Sequence, residues 1–246
     1  MSIIEICITN KAVFIYKKFT ASLYVWYNII KWVLFMWKKI FTVTVVLLIA
    51  LFIFSKKSIS FDVVDDDGKP VTLTLRKRRF QKYYNEVTLS DGKNVNTHVF
   101  KDKYTLNIWK WKTGRVNDEN NEDVVFGVYN IAPHHRIMTN RVFIYTVKDL
   151  ELQPKFRASR LTYPISDFTL FDIDGDGYDE VMAIEKYKGD SYISAYKEYD
   201  LKIERVYFGK FLFEISRFSN DSENLSVETE KGTFNVGLKN KEVYLK

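Results

Sequence analysis

The stretch DIDGDGYDE, residues 172–180, gathers the chain's densest set of groups able to do chemistry. Its carboxylates fall at Asp172, Asp174, Asp176 and Glu180, with Gly175 and Gly177 interleaved. A hard dication takes six to eight oxygens at about 2.3–2.6 Å, and a chain that curls round one ion offers it alternate side chains. Glycine permits the curl. The backbone carbonyl of Tyr178 adds an oxygen, Glu180 closes the ring, and Asp179 is left to face solvent or a turn. Aspartates this close repel one another, so their spacing asks for a cation. Ca2+ suits so flexible a cage and Mg2+ does not. The ion would be structural, because wrapped carboxylates leave no open position for a substrate.

The loop needs an element on each side of it. In an EF-hand the twelfth position is a bidentate glutamate entering a helix, whereas here it is Ala183, within the apolar stretch EVMAIE that reads as a strand. An acid at the ninth position followed at once by an apolar strand resembles the calcium loop of integrin-alpha-like FG-GAP repeats, also called VCBS repeats. The resemblance implies a loop joining two strands of a β-propeller blade, with Asp172, Asp174, Asp176, Tyr178 and Glu180 around Ca2+.

A second copy of the pattern lies upstream. DVVFGV (123–128) aligns with EVMAIE (180–185) at an offset of 57, which sets RVNDENNED (115–123) under the acidic loop. IYTVKDLEL (144–152) aligns with AYKEYDLKI (195–203) at an offset of 51, and the longer loop YNIAPHHRIMTN absorbs the difference. Two copies of one supersecondary unit therefore span 115–209. In the first copy the first ligand position is Arg115 and the sixth, Gly177 in the later loop, is Asn120, leaving Asn117, Glu119 and Asp123, a turn expected to hold no metal tightly.

Residues 58–246 alternate short stretches rich in Val, Ile, Phe, Tyr and Thr with turn residues, and Asp67-Gly68, Asp91-Gly92 and Lys231-Gly232 supply hairpin glycines. The expected fold is all-β: propeller-like antiparallel β repeats preceded by one N-terminal transmembrane helix. About 190 residues at roughly 50 per blade give fewer than four blades, so an incomplete or open version is expected. The expected partition is an N-terminal lysine- and aromatic-rich segment (1–38), an anchor (39–56), a β-hairpin region (58–114), the two repeats (115–209) and C-terminal hairpins (210–246).

Residues 40–54, IFTVTVVLLIALFIF, carry no charge and lie between Lys38-Lys39 and Lys56-Lys57. Snorkelling lysines and Trp32, Phe35 and Trp37 extend the apolar wall toward bilayer thickness. A cleaved signal peptide competes with an uncleaved anchor, and the lysine pair directly after the run favours the anchor. The preceding segment reads as an amphipathic interfacial helix or as an artefact of start-site choice. The expected location is a single-pass cell-membrane protein held through 40–54, with the β domain outside the cell.

The net charge of +6 belongs to this N-terminal region: residues 1–57 hold eight lysines and one acid, and the other 29 basic and 30 acidic residues leave the β region at −1. A domain that neutralises phosphates needs its own basic face, so nucleic acid is not an expected partner. Cys7 is the single cysteine, which excludes an intrachain disulfide and a cysteine-built zinc site. Signatures of a nucleophile elbow, a phosphate-binding glycine loop or a zinc-protease helix do not occur. His134 and His135, with His98 far away in sequence, read as exposed loop residues. Tyr104, Trp109 and Trp111 read as core rather than as a contact face, and Arg141, Arg157 and Arg160 as solvated strand-end cations. The expected function is a non-catalytic, calcium-binding β-repeat module for an unknown protein or carbohydrate ligand at the cell surface. The alternative is an anchored envelope enzyme, a glycan or peptide hydrolase.

Overall fold

The computed structural model describes residues 26, 29, 31–50, 52, 55–100, 106–117, 121–132, 135–157, 160–199, 202–220 and 224–246. Cys7 and the rest of the segment before residue 26, with Tyr104, Glu119, Asn120 and His134, lie outside them. The chain forms two compact units, Met1–Ser55 and Lys56–Lys246.

In the first unit a helix, α1 (Lys31–Ala50), is 20 residues long. At 1.5 Å per residue that is about 30 Å, the thickness of a bilayer's hydrocarbon core. It starts earlier than the anchor expected at 39–56, because nothing between Lys31 and Lys39 breaks a helix and the lysines carry long apolar stems. Its two threonines fold their hydroxyls back onto the carbonyls of Lys38 and Ile40, 2.9 Å in each case, so the run shows no unsatisfied side-chain donor. Trp37 and Phe41 are 70% and 71% exposed. By length and composition α1 can cross a membrane, a test that a signal sequence also passes.

The second unit is a succession of four-stranded antiparallel meanders. The first comprises β1 (Lys56–Val64), β2 (Pro70–Arg78), β3 (Glu86–Ser90) and β4 (Val95–Val99). The second comprises β5 (Ile108–Gly114), β6 (Asp123–Ala132), β7 (His135–Lys148) and β8 (Glu151–Arg157). The third has β9 (Ile165–Phe171), β10 (Glu180–Tyr187), β11 (Asp190–Tyr199) and β12 (Lys202–Phe211), and the fourth β13 (Ile215–Asn220), β14 (Leu225–Thr229), β15 (Gly232–Lys239) and β16 (Glu242–Leu245). DVVFGV and EVMAIE are both second strands, each preceded by its acidic loop. The stretch expected as 58–114 holds most of β1 together with β2 to β5, and 210–246 holds β13 to β16.

Alternation of side chains decides the stacking. Along β6, Val124, Phe126 and Val128 join Leu73, Leu75 and Leu89 of the first meander, while Val125 joins Phe168, Leu170 and Val181 of the third. Along β10, Val181 and Ala183 face the second meander, and Met182 and Ile184 pack with Ile215, Val227 and Val243 of the fourth. The two inner sheets are therefore apolar on both faces and read as continuous Val/Ile runs, whereas β1 and β2 alternate buried and exposed positions. Among the described residues no core cluster joins the fourth meander to the first, so the stack is open. A parallel contact at Phe208↔Glu242 fuses β12 to β16 and makes an eight-stranded sheet. That sheet curls until its edges β9 and β13 meet, where the Phe218 N–H donates to Asp167 Oδ2 at 2.8 Å, nearly closing a barrel around the third core.

A β-bulge between Ile108 and Lys110 splits the two tryptophans expected on one face. Trp111 packs with Phe61 and Tyr84 in the first interface, and Trp109 meets Phe168 edge-on in the second, with ring centroids 5.6 Å apart. Trp109 and Phe168 approach the backbone at Gly127, where a Cβ would stand 2.6 Å from Phe168 and 2.8 Å from Trp109. Gly127→Ala is accordingly expected to destabilise the β unit by about 1–3 kcal/mol through overpacking. Urea unfolding followed by tryptophan fluorescence measures the effect, and an unchanged midpoint would show that the rings yield freely.

Candidate metal centre

The acidic loop joins β9 to β10, where the chain leaves one apolar strand of an inner sheet and enters the next. Gly175 and Gly177 have φ of 77° and 93°, left-handed conformations that turn the loop inward. Asp172 takes the role of organiser: its Oδ1 accepts the N–H groups of Gly175 (2.7 Å) and Asp176 (3.2 Å), and its Oδ2 that of Gly177 (2.9 Å). Asp176 Oδ1 accepts the Tyr178 N–H at 3.0 Å. Fully buried Glu180 closes the loop by accepting the Ile173 N–H at 2.9 Å. Carboxylate oxygens of Asp172, Asp174 and Asp176 lie within 4.8 Å of one another, a donor set of the kind that suits a hard cation.

A cation is already there. Lys197, on β11, extends its ammonium between Asp174 Oδ2 (2.8 Å), Glu180 Oε1 (3.0 Å) and Asp176 Oδ2. The ammonium stands within ion-pair distance of all three carboxylates and donates to Asp176 Oδ2. The Tyr207 hydroxyl on β12 donates to Asp174 Oδ2 at 2.8 Å and completes that side. Burial alone would lower the Lys197 pKa, but the hydrogen bonds to Asp174, Asp176 and Glu180 raise it above the ordinary lysine value. Burial would likewise raise Asp174, yet Lys197 and Tyr207 hold it below the usual carboxylate value. For Glu180 burial wins and its pKa is raised.

The upstream copy reaches the same solution by another route. Asn117 and Asp123 stand where Asp174 and Glu180 stand in the later copy. Lys155, reaching across from β8, places its ammonium 2.7 Å from Asn117 Oδ1 and 3.0 Å from Asp123 Oδ1. The counterpart of Lys197 is Thr146, whose hydroxyl donates to Asp123 Oδ1 at 2.6 Å. Each acid-rich loop thus recruits a lysine, from the third strand in one case and the fourth in the other.

Asp179 does not face solvent or turn on itself. It joins the two loops, its N–H donating to Arg115 O (2.7 Å) while its Oδ2 accepts the Arg115 N–H (3.1 Å), and burial raises its pKa. Gly114 leaves room for this pair, since a Cβ there would meet Asp179 Oδ2 at 2.3 Å. Asn117 also donates to Glu198 on β11. The remaining sequence candidates fall elsewhere. His98 lies half-buried on β4 and half-buried His135 opens β7, while Arg141 is 1% exposed instead of solvated. Glu185, another fully buried acid, accepts from the Tyr163 N–H (2.7 Å), Ser194 (2.6 Å) and Tyr196 (2.8 Å), three donors that anchor a carboxylate in the sheet.

No protein-family model matches the chain, and no curated protein matches it.

Lys197 stabilises the fold below the unfolded lysine value of 10.5 and stops doing so as pH rises through its higher folded value. Asp174 contributes above 3.8 and loses its contribution as pH falls through its lower folded value, while ionised Glu180 costs stability as pH rises from 4.5. Replacing Lys197 by Met leaves three carboxylates without their cation and should cost about 3 kcal/mol at neutral pH. The variant should also grow more stable on acidification from pH 7 to pH 5, as its stranded acids take up protons. Chemical unfolding across that range tests both statements, and a flat, wild-type-like profile would remove the lysine from the account.

Proposed function

We propose that the chain is a single-pass, membrane-anchored, non-catalytic β-repeat module that holds a rigid stack of sheets at the cell surface for a protein or carbohydrate ligand. The observation that carries this reading is the direct succession of an apolar helix of bilayer length and a β unit with its own cores. The FG-GAP/VCBS-like resemblance belongs to the same proposal, supported by an acid-rich loop between the first and second strands of a four-stranded meander. In this reading Lys197 serves as the loop's resident cation, so the module keeps its fold without a metal.

A second reading has an observation of its own. Lys197 supplies one positive charge to a loop bearing Asp172, Asp174, Asp176 and Glu180, so a strong negative excess remains. The residues present fit Ca2+ by donor type, but the ammonium stands among three of the four acids. Ca2+ would bind by displacing Lys197, with Asp172, Asp174, Asp176 and Glu180 as ligands and the Tyr178 carbonyl as a further oxygen, and its role would be structural.

Flotation of the full chain with membranes after alkaline carbonate washing, together with its intact mass, tests the anchor. Retention at full mass is expected, and release or a shortened chain would favour a peripheral or signal-cleaved protein. Calcium titration of thermal stability tests the resident cation. Wild type should respond little, and Lys197→Gln, which removes the charge, should gain about 2.7 kcal/mol at ~100 times the dissociation constant. A wild-type gain that Asp174→Ala abolishes would make Ca2+ the natural occupant.

A further inference from the structure

We propose that the end of the β unit opposite the acidic loops is a lipid-facing surface that rests on an anionic bilayer, an inference that stands on the anchor reading above.

The ladder registers sort the loops of the β unit between two ends. Because Lys56 pairs with Arg78 and Val64 with Pro70, the β2–β3 connection lies at the end where β1 begins, and the β1–β2 loop at the other. Inter-sheet bonds extend this sorting. The Asp66 N–H donates to Val147 O and the Asp179 N–H to Arg115 O, so the loops 65–69, 115–122 and 172–179 share one end. That end carries Asp65, Asp66 and Asp67 together with the candidate metal loop. At the other end lie the β2–β3 connection, the β6–β7 hairpin, the β10–β11 turn and the β12–β13 connection.

The tips at this second end are apolar and exposed: Phe80 is 70% exposed, Ile137 62%, Met138 44%, Tyr187 41% and Leu212 82%. Exposed Lys57, Lys82, Arg136 and Lys188 accompany them. Of the acids at this end Glu86, Asp190 and Glu214 are ion-paired with Lys56, Lys210 and Lys186, and exposed Glu230 of the β14–β15 turn has exposed Lys231 next to it in the chain. Apolar tips among unopposed cations complement an interface of acyl chains beneath anionic headgroups. The stack is polar in the electrostatic sense, acidic at one end and basic at the other, which favours one orientation over a negative surface.

The apolar tips are held, not loose. Arg141, 1% exposed, donates to the carbonyls of Asn130 (3.1 Å), His135 (3.0 Å) and Ile137 (2.9 Å), so a buried guanidinium pins the β6–β7 hairpin from inside. Among the described residues its hydrogen-bond partners are these carbonyls and His135 Nδ1 (3.2 Å), none of them an acid, so its position serves backbone geometry at the hairpin tip. Tyr83 of the β2–β3 connection stacks on Tyr129 at the hairpin's base, with centroids 5.7 Å apart, and joins the Phe80 and Ile137 tips.

The test uses the full chain with Cys7→Ser, carrying either Ile137→Cys or Val95→Cys labelled with an environment-sensitive fluorophore. Val95 is 67% exposed and lies at the acidic end. In phosphatidylcholine vesicles containing phosphatidylglycerol, the probe at position 137 should shift to the blue and be quenched by lipid-borne quenchers severalfold more than the probe at 95. Leaving out phosphatidylglycerol, or adding Lys82→Glu with Arg136→Glu, should shrink that difference. Equal, weak quenching at both positions in a chain that still floats with the vesicles would overturn the lipid-facing surface and leave the anchor standing. A blue shift that follows protein density and ignores lipid quenchers would assign the surface to a second copy and overturn the proposal. A chain that does not float with vesicles at all defeats the anchor reading and this inference with it.

Discussion

Carboxylates sited where two buried strands meet need positive charge beside them, and the structure is arranged around supplying it. Glu180 and Asp123 open the second strands of the two inner sheets and are fully buried. Buried there without a partner, either would carry a desolvation cost of several kcal/mol. The lysines that answer them come from other strands, so each ion pair also cross-links its meander: Lys197 ties β11 to the β9–β10 loop, and Lys155 ties β8 to the start of β6. Arg115 and Asp179 then couple one loop to the next. Polar contacts set the register and loop shape at that end of the stack, while apolar burial supplies the bulk of the stability.

The division between inner and outer sheets follows from the same economy of faces. β6 and β10 spend both faces on packing, which is why VVFGV and VMAI read as unbroken apolar runs. Gly127 and the Trp109 bulge solve the crowding that two-sided burial creates, one by removing a side chain and the other by moving an indole to the neighbouring interface. The outer sheets keep one wet face, and so the stack can end without closing.

Much of this arrangement was legible in the residues. The strands, their turn glycines and the offset between DVVFGV and EVMAIE located the second strand of each inner meander before any geometry was known. The first and fourth meanders escaped notice because their acid-bearing loops, DDDGK and NDSEN, share no residue pattern with the longer copies. The bulge was hidden too, since alternation along IWKW predicts one face for both tryptophans and only the neighbouring sheets reveal that one must turn. Lys197 was within reach: counting outward from the Tyr187↔Asp190 turn pair sets it opposite Glu180, one step beyond Val181↔Tyr196. Lys155 was not accessible in that way, because a register shift between Ile144 and Tyr145 breaks the count across β7 and β8.

The parallel contact between β12 and β16 gives the eight-stranded sheet an order of assembly. When β12 has formed, its outer edge and the apolar face bearing Met182, Ile184, Ile193 and Ala195 have nothing to cover them until the whole fourth meander has been made and returned. During that interval the growing chain presents a bare strand edge beside a greasy surface, the combination most prone to sticking to other chains. The pace at which the last meander follows therefore sets how long that surface stays bare, and a pause in translation after residue 211 would prolong it.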